Sequence, residues 1–229
     1  MWKNTLIYGE EYFSGKTNKG YRSGYSRFPQ LIYNKIKFRR ALSIIKKYRK
    51  HGTFLDVGCA FGFLVKMASR KGYSATGCDI SRYAVKQAQA LFSELDFFEV
   101  NIEKRTPFED SSFDIVTALD TIEHCSDVHG ALREIKRILK PQGLFLTSIP
   151  VNPLARTYDG THKHELGLSE WLRLLSKYFV PIRTFDSFKN KFTRINPDWW
   201  ESLFVLCINS DRNQIPANRD SSFGFVKTK

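Results

Sequence analysis

The sequence predicts an α/β fold built on a doubly wound, mostly parallel sheet. Three observations carry this. From residue 53 onward, short runs rich in β-branched and aromatic residues alternate with segments of helical period. The first run, Phe54-Leu-Asp-Val57, turns through Gly58-Cys-Ala-Phe-Gly62 directly into helical spacing at Phe63, Leu64, Val65, Met67 and Ala68. A chain of 229 residues, 42% of them apolar, is long enough to bury one good core. Right-handed crossovers make such a sheet doubly wound, with helices on both faces. Its ligand then lies outside the carboxyl ends of the strands, where the strand order reverses.

The elements follow in order. Residues 1–30 are rich in Tyr, Phe, Gly and Ser and read as an aromatic arm that packs on something. Residues 31–50 read as one helix, with Leu31, Ile32, Ile36, Ala41, Leu42, Ile44, Ile45 and Tyr48 apolar and basic residues between them. His51-Gly52 stops it. After the glycine turn and its helix, Lys71-Gly72 breaks the chain and Tyr73 to Asp79 forms a second strand. Ser81 is placed to cap a helix running to about Ser93. Asp96 to Val100 is a third strand, Phe113 to Leu119 a fourth, and Asp127 caps the helix that carries Val128, Leu132, Ile135, Ile138 and Leu139. Pro141-Gln-Gly143 reads as a turn, Leu144 to Ile149 as a fifth strand, 151–167 as a polar loop and Leu168 to Tyr178 as an amphipathic helix. Two late strands are expected near 179–187 and 201–209, then a polar tail. This gives three parts: an arm and helix over 1–50 that cap a cleft, a catalytic domain over 51–210, and a tail over 211–229.

A strand that turns on glycines into a helix presents backbone N–H groups and the positive end of the helix dipole to a cofactor. The spacing Gly58-x-Ala60-x-Gly62 is not the G-x-G-x-x-G of dinucleotide folds, and no Gly-Lys-Ser/Thr follows it. Asp79 ends the second strand 17 residues beyond Gly62, where a carboxylate can accept both ribose hydroxyls.

Asp56-Val-Gly-Cys-Ala-Phe-Gly62 resembles motif I, D/E-x-G-x-G-x-G, of the class I S-adenosylmethionine (SAM)-dependent methyltransferases, departing from it at Ala60. Four later segments are similar to that family in the same order. They are Gly77-Cys-Asp-Ile-Ser81, Val100-Asn-Ile-Glu103 with Pro107-Phe108 and Ser112-Phe-Asp-Ile-Val116, Leu119-Asp-Thr-Ile-Glu-His124, and Leu132 through Lys140-Pro-Gln-Gly143. The resemblance covers roughly residues 50–180. It implies a Rossmann-like, seven-stranded sheet, mostly parallel with a late antiparallel strand, and SAM as cofactor. It carries cofactor-binding roles onto Asp56, Gly58, Cys59, Ala60, Gly62, Asp79, Ile80, Asn101, Ile102 and Leu119. Ile80 lies on the adenine face, and Asn101 accepts from the adenine amino group in place of the usual Asp. The opening Tyr8-Gly-Glu-Glu-Tyr-Phe13 resembles an aromatic segment that folds over the cofactor in the small-molecule subgroup, and Tyr12 is assigned to the acceptor.

Methyl transfer needs positioning above all, and an oxygen nucleophile also needs a base in reach. His124 is the first candidate, as a base or as a group that orders its loop; His162 and His164 are each a base, a substrate contact or one of a metal-ligand pair. Asp120 and Glu123 either touch the acceptor or order their loop. No metal is expected, because His162-x-His164 lacks a carboxylate cluster.

The net charge of +13 is concentrated: residues 1–50 hold 13 Lys or Arg against Glu10 and Glu11. Such an arm either meets an acidic partner or is a solvated face. The first function the resemblance implies is methyl transfer to a small-molecule, glycan or lipid-linked acceptor at oxygen, the basic arm then meeting an anionic acceptor or a membrane surface. The alternative is an RNA methyltransferase whose arm interleaves Tyr21, Arg22, Tyr25, Arg27 and Phe28. A SAM-binding protein without turnover is the third. Trp199-Trp200 either contacts a substrate or membrane or packs on the sheet. The cysteines, Cys59, Cys78, Cys125 and Cys207, are scattered with no C-x-x-C, and the start of the chain lacks the apolar stretch of a secretion signal. A reducing cytoplasm is therefore expected. Oligomeric state is not legible.

Overall fold

A computed structural model describes residues 8–14, 25, 28–150, 160–186 and 202–210. Trp199-Trp200 and the tail lie outside these residues. The chain runs α1 (Glu10–Ser14), α2 (Phe28–Tyr48), β1 (Thr53–Val57), α3 (Phe63–Ser69), β2 (Ser74–Asp79), α4 (Arg82–Leu91), β3 (Asp96–Glu99) and β4 (Phe113–Leu119). A 3₁₀ turn (Ile122–His124), α5 (Val128–Ile138), β5 (Leu139–Pro150), α6 (Leu168–Leu175), β6 (Val180–Asp186) and β7 (Ser202–Ile208) follow.

The seven strands form one sheet in the order β3-β2-β1-β4-β5-β7-β6. Pairing from β3 through to β5 is parallel, and β7 is antiparallel to both β5 and β6. This is the expected doubly wound sheet with its late antiparallel strand. Alternation along each strand sends residues to opposite faces. Phe54, Ile115, Leu144, Leu146, Phe204 and Leu206 meet α2 and α3 through Leu42, Ile44, Ile45 and Leu64. Leu55, Val116, Phe145, Ile149, Val205 and Cys207 meet α5 and α6 through Leu132, Ile135, Ile138 and Trp171.

Both expected N-caps form. Ser81 Oγ accepts the Ala84 N–H at 3.1 Å, and the Asp127 carboxylate accepts the Gly130 N–H at 2.8 Å. Three expectations are corrected. Residues 140–143 belong to β5 rather than to a turn, because Gln142 N–H donates to Asn209 O (2.8 Å) and Asn209 N–H to Gly143 O (3.0 Å), stitching them to the end of β7. Helix α2 starts at Phe28, three residues early, and α6 stops at Leu175. The short helix α1 and the 3₁₀ turn have too few residues to show a period. No described helix is long and apolar enough to cross a membrane.

Candidate active site

The order of the sheet reverses between β1 and β4, and the carboxyl ends of the first four strands converge there. β1 runs into Gly58, β2 ends at Asp79, β3 leads to Asn101 and β4 to Asp120. These residues wall one cleft with Val57, Ala60, Cys78, Ile80, Val100, Ile102, Glu103, Thr121, His124 and Cys125, and Tyr8, Tyr12 and Phe13 close its outer side. The space between these residues, open solvent at the mouth included, is about 720 Å³.

The glycine turn is left-handed at alternate residues, with φ of 72° at Gly58, 47° at Ala60 and 77° at Gly62. A side chain at Gly58 would collide with Thr121, and one at Gly62 would come within 2.6 Å of Phe97. Ala60 therefore keeps the conformation a glycine would take freely, at a cost of roughly 1–2 kcal/mol. Its N–H remains aimed at Asp79 Oδ2, 2.9 Å away, while Asp79 Oδ1 accepts the Ser81 N–H at 2.8 Å. The carboxylate has about four lone-pair sites, so acceptor capacity is left for a ligand. Burial pushes the Asp79 carboxyl above the usual range, against the backbone N–H groups of Ser81, Ala60 and Ile80 that favour its charge. Asn101 Oδ1 accepts the Glu103 N–H at 2.9 Å, so one of its two lone pairs closes an Asx turn and one is left.

The aromatic wall is tied down. Ser81 Oγ, already capping α4, also donates to the Tyr8 carbonyl. Tyr8 meets Tyr12 edge-on at 5.0 Å, and Phe13 lies 5.1 Å from Phe61 of the turn.

The other expected residues divide. Tyr12, Asp120 and His124 line the cleft with Gly58, Ala60, Asp79, Ile80, Asn101 and Ile102. Asp56, Cys59, Gly62, Leu119, Glu123, His162 and His164 do not. Asp56 is 4% exposed and accepts from Thr117 Oγ1 at 2.7 Å. Burial pushes its carboxyl up to about 7, the Thr117 hydrogen bond opposing and Asp79 adding to the rise. Cys59 packs with Val65, Val85 and Phe97. Burial raises all four thiols, so none supplies a thiolate near neutral pH.

The histidines have separate settings. His124 Nδ1 pairs with Thr161 Oγ1 at 2.9 Å, and its ring meets Tyr8 at 6.2 Å and His162 at 4.6 Å. His164 Nε2 pairs with the Cys125 carbonyl at 2.9 Å. The Lys163 and His164 N–H groups both donate to the Glu123 carbonyl, which clamps the loop onto the 3₁₀ turn.

Asp120 holds a left-handed φ of 49° and forms an ion pair with Lys37 from α2. Its N–H donates to Ser148 Oγ at 2.7 Å, and that hydroxyl donates back to Oδ1 at 2.8 Å. Burial works against the charge of Asp120, but Lys37 and Ser148 outweigh it and hold the carboxyl below the usual range. Lys37 was not among the expected site residues. A signal for it exists: it falls on the same helix face as Ala41, Leu42, Ile44 and Ile45, where a lysine must find a partner.

Comparison with known proteins agrees with this geometry. A methyltransferase-domain family model matches residues 55–147. The chain is 30% identical over 198 residues to an uncharacterized methyltransferase, YcgJ, of Bacillus subtilis, covering 71% of this chain and 78% of that one. It is 35% identical over 108 residues to a ubiquinone biosynthesis O-methyltransferase of Pseudomonas paraeruginosa, a match that spans 45% of this chain and 47% of the relative. Among solved structures, a protein of Pyrococcus horikoshii superposes with a TM-score of 0.64 over 91% of this chain and 99% of that chain at 18% identity. YcgJ itself superposes with a TM-score of 0.59 over 76% and 99% at 22% identity. With the matched segment starting on β1 and ending within β5, around the cleft these strands build, the chain belongs to the class I SAM-dependent methyltransferases.

Proposed function

We propose that the chain moves the methyl group of SAM to an oxygen atom of a small-molecule acceptor. The observation that carries this is His124. It stands on the wall of the cleft that also contains Gly58 and Asp79. Its Nδ1 pairs with Thr161 Oγ1 at 2.9 Å, which fixes the imidazole on that wall, where it can serve an acceptor hydroxyl. The similarity to ubiquinone biosynthesis O-methyltransferases supports oxygen as the target.

The residues of the cleft fit an adenosyl group. Asp79 offers lone pairs to vicinal hydroxyls, Ile80 and Ile102 offer apolar faces for a purine, and Asn101 retains an acceptor site. Gly58, Ala60 and Gly62 carry nothing larger than a methyl group, so backbone can approach the ligand. Bound SAM supplies an activated methyl on a sulfonium. The chain supplies position, a closed aromatic wall and a proton acceptor. We read residues 1–50 as the cap, 51–210 as the catalytic domain and 211–229 as a tail, the cap being supported by Tyr8, Tyr12 and Phe13 on the cleft.

Asp79→Ala is expected to weaken SAM about 10- to 100-fold in calorimetry, the value of one or two hydrogen bonds to a charged group. Unchanged affinity removes Asp79 from the site. His124→Gln keeps SAM affinity and lowers kcat against a phenolic acceptor about 100-fold. A variant that turns over like wild type removes the base.

The anionic partner expected of the basic arm is supported by Lys35, Arg39, Lys46 and Lys47, exposed along one side of α2. Binding to anionic vesicles that weakens with salt tests membrane contact, and the same titration with RNA tests the alternative.

A further inference from the structure

The fold brings together three ligand-bearing side chains that the sequence separates. Glu123 and His124 lie on the 3₁₀ turn after β4, and His162 lies on the loop before α6. A carboxylate oxygen and one nitrogen of each ring all stand within 4.8 Å of one another. The missing carboxylate was the reason to expect no metal beside His162-x-His164, and Glu123 provides it. From this juxtaposition we propose that Glu123, His124 and His162 bind one divalent transition-metal ion of the zinc class at the edge of the acceptor cleft.

The chemistry of the donor set selects the ion. Two imidazoles and a carboxylate suit zinc and its neighbours, whereas calcium and magnesium want oxygen ligands. Three protein ligands leave a fourth position open, as in catalytic rather than structural zinc sites. Glu123 is buried behind, while both rings are half-buried and His124 lines the cleft, so the open position faces the acceptor side.

The surroundings orient the ligands as a metal site requires. Thr161 Oγ1 holds the His124 ring through Nδ1 at 2.9 Å, which fixes the orientation of the imidazole beside Glu123 and His162. The two N–H groups donated to the Glu123 carbonyl fix the loop that presents His162. His164 is excluded because its Nε2 pairs with the Cys125 carbonyl. Bonds of about 2.0–2.1 Å place neighbouring ligand atoms roughly 3.3 Å apart, so the set closes by at most about 1.5 Å through side-chain rotation.

The role of the ion rests on the methyl-transfer reading. With the ion bound, His124 would act as its ligand and not as the base, and an acceptor hydroxyl on the open position would lose its proton to solvent more readily. Its oxygen then bonds to the methyl carbon as the carbon–sulfur bond breaks, and that electron pair neutralises the sulfonium.

The test uses the full chain, stripped with chelator and titrated with Zn²⁺ by calorimetry, with Co²⁺ absorption as the spectroscopic signature. SAM binding is measured separately. Wild type is expected to take up one equivalent. His162→Ala and Glu123→Gln weaken zinc about 100-fold or more, and Thr161→Ala weakens it about 10- to 100-fold. His129→Ala, whose ring pairs with Tyr178 Oη at 2.6 Å on α5, changes nothing. Should Glu123→Gln fail to fold, His162→Ala decides alone. Zinc bound without SAM supports the site and removes the methyl-transfer reading. SAM bound with zinc no tighter in wild type than in His162→Ala overturns the site.

Discussion

Asp120→Asn is expected to lower the stability of the fold by about 3 kcal/mol, while Lys37→Met costs about 1 kcal/mol or less. The asymmetry follows from where the two charges sit. The Lys37 side chain is 1% exposed and that of Asp120 41% exposed. Removing the carboxylate's charge leaves a buried ammonium without its counter-charge, 6.0 Å from the centroid of the Phe204 ring and 3.4 Å from Ser202 Oγ. Removing the lysine leaves a carboxylate that the cleft can hydrate and that Ser148 still holds. Asn is the better probe than Ala because it tolerates the φ of 49° at this position. Its amide oxygen also keeps one hydrogen bond to the ammonium, so the low end of the range for broken buried pairs applies.

Two controls follow from charge. The double variant Lys37→Met with Asp120→Asn recovers most of the loss, because no buried charge remains. The second control is the pH dependence of wild type. The folded pKa of Asp120 is depressed, so its contribution is present above about pH 4 and is lost as pH falls through the folded value. Urea denaturation of the four proteins checks this, and equal costs for the two single variants would overturn it.

The same pair shows what the sequence discloses and what it hides. Gly58, Asp79 and Asn101 are legible because each follows a strand, and strand ends in this architecture share one edge of the sheet. Asp120 is legible for the same reason, but its partner is 83 residues away, in a helix whose basic residues read as a solvated or partner-binding face. Charge counting pools Lys37 with 12 exposed, half-buried or undescribed basic neighbours, whereas helical period singles it out. The histidine loop was less legible. Residues two apart share a face in an extended chain, yet His162 and His164 diverge because the loop turns on the Glu123 carbonyl. Glu103 shows a third case. It lines the cleft, and its carboxylate accepts the N–H groups of Ser126 and Asp127 at 3.0 and 3.1 Å, a role no local pattern announces.

Asp56 carries the second large effect, and its motif position alone does not disclose it. Within β1 it shares the face of Phe54, so its carboxyl lies beneath the glycine turn on Thr117 rather than on the cleft wall. Its folded pKa of about 7 stands above the unfolded value of about 3.9. The folded state therefore binds the proton more tightly, and stability falls as pH rises from about 4 to about 7. Three units correspond to roughly 4 kcal/mol.

Asp56→Asn keeps an acceptor for the Thr117 hydroxyl and removes the ionisation. Its amide also brings N–H donors into a buried site, at about 1–3 kcal/mol if they find no partner. Below pH 4 the variant is then the less stable protein, and above pH 7 the more stable. The two curves cross, and their difference swings by roughly 4 kcal/mol between pH 4 and pH 8. That swing is independent of how well the amide is satisfied, because the amide does not titrate. Asp79 is buried nearby with its own raised pKa and is present in both proteins, so it tilts both curves downward with pH without making them cross. Parallel curves from urea denaturation at pH 4, 6 and 8 would show that Asp56 is ionised throughout. The energy assigned to its burial would then have to reside in a stronger hydrogen bond from Thr117.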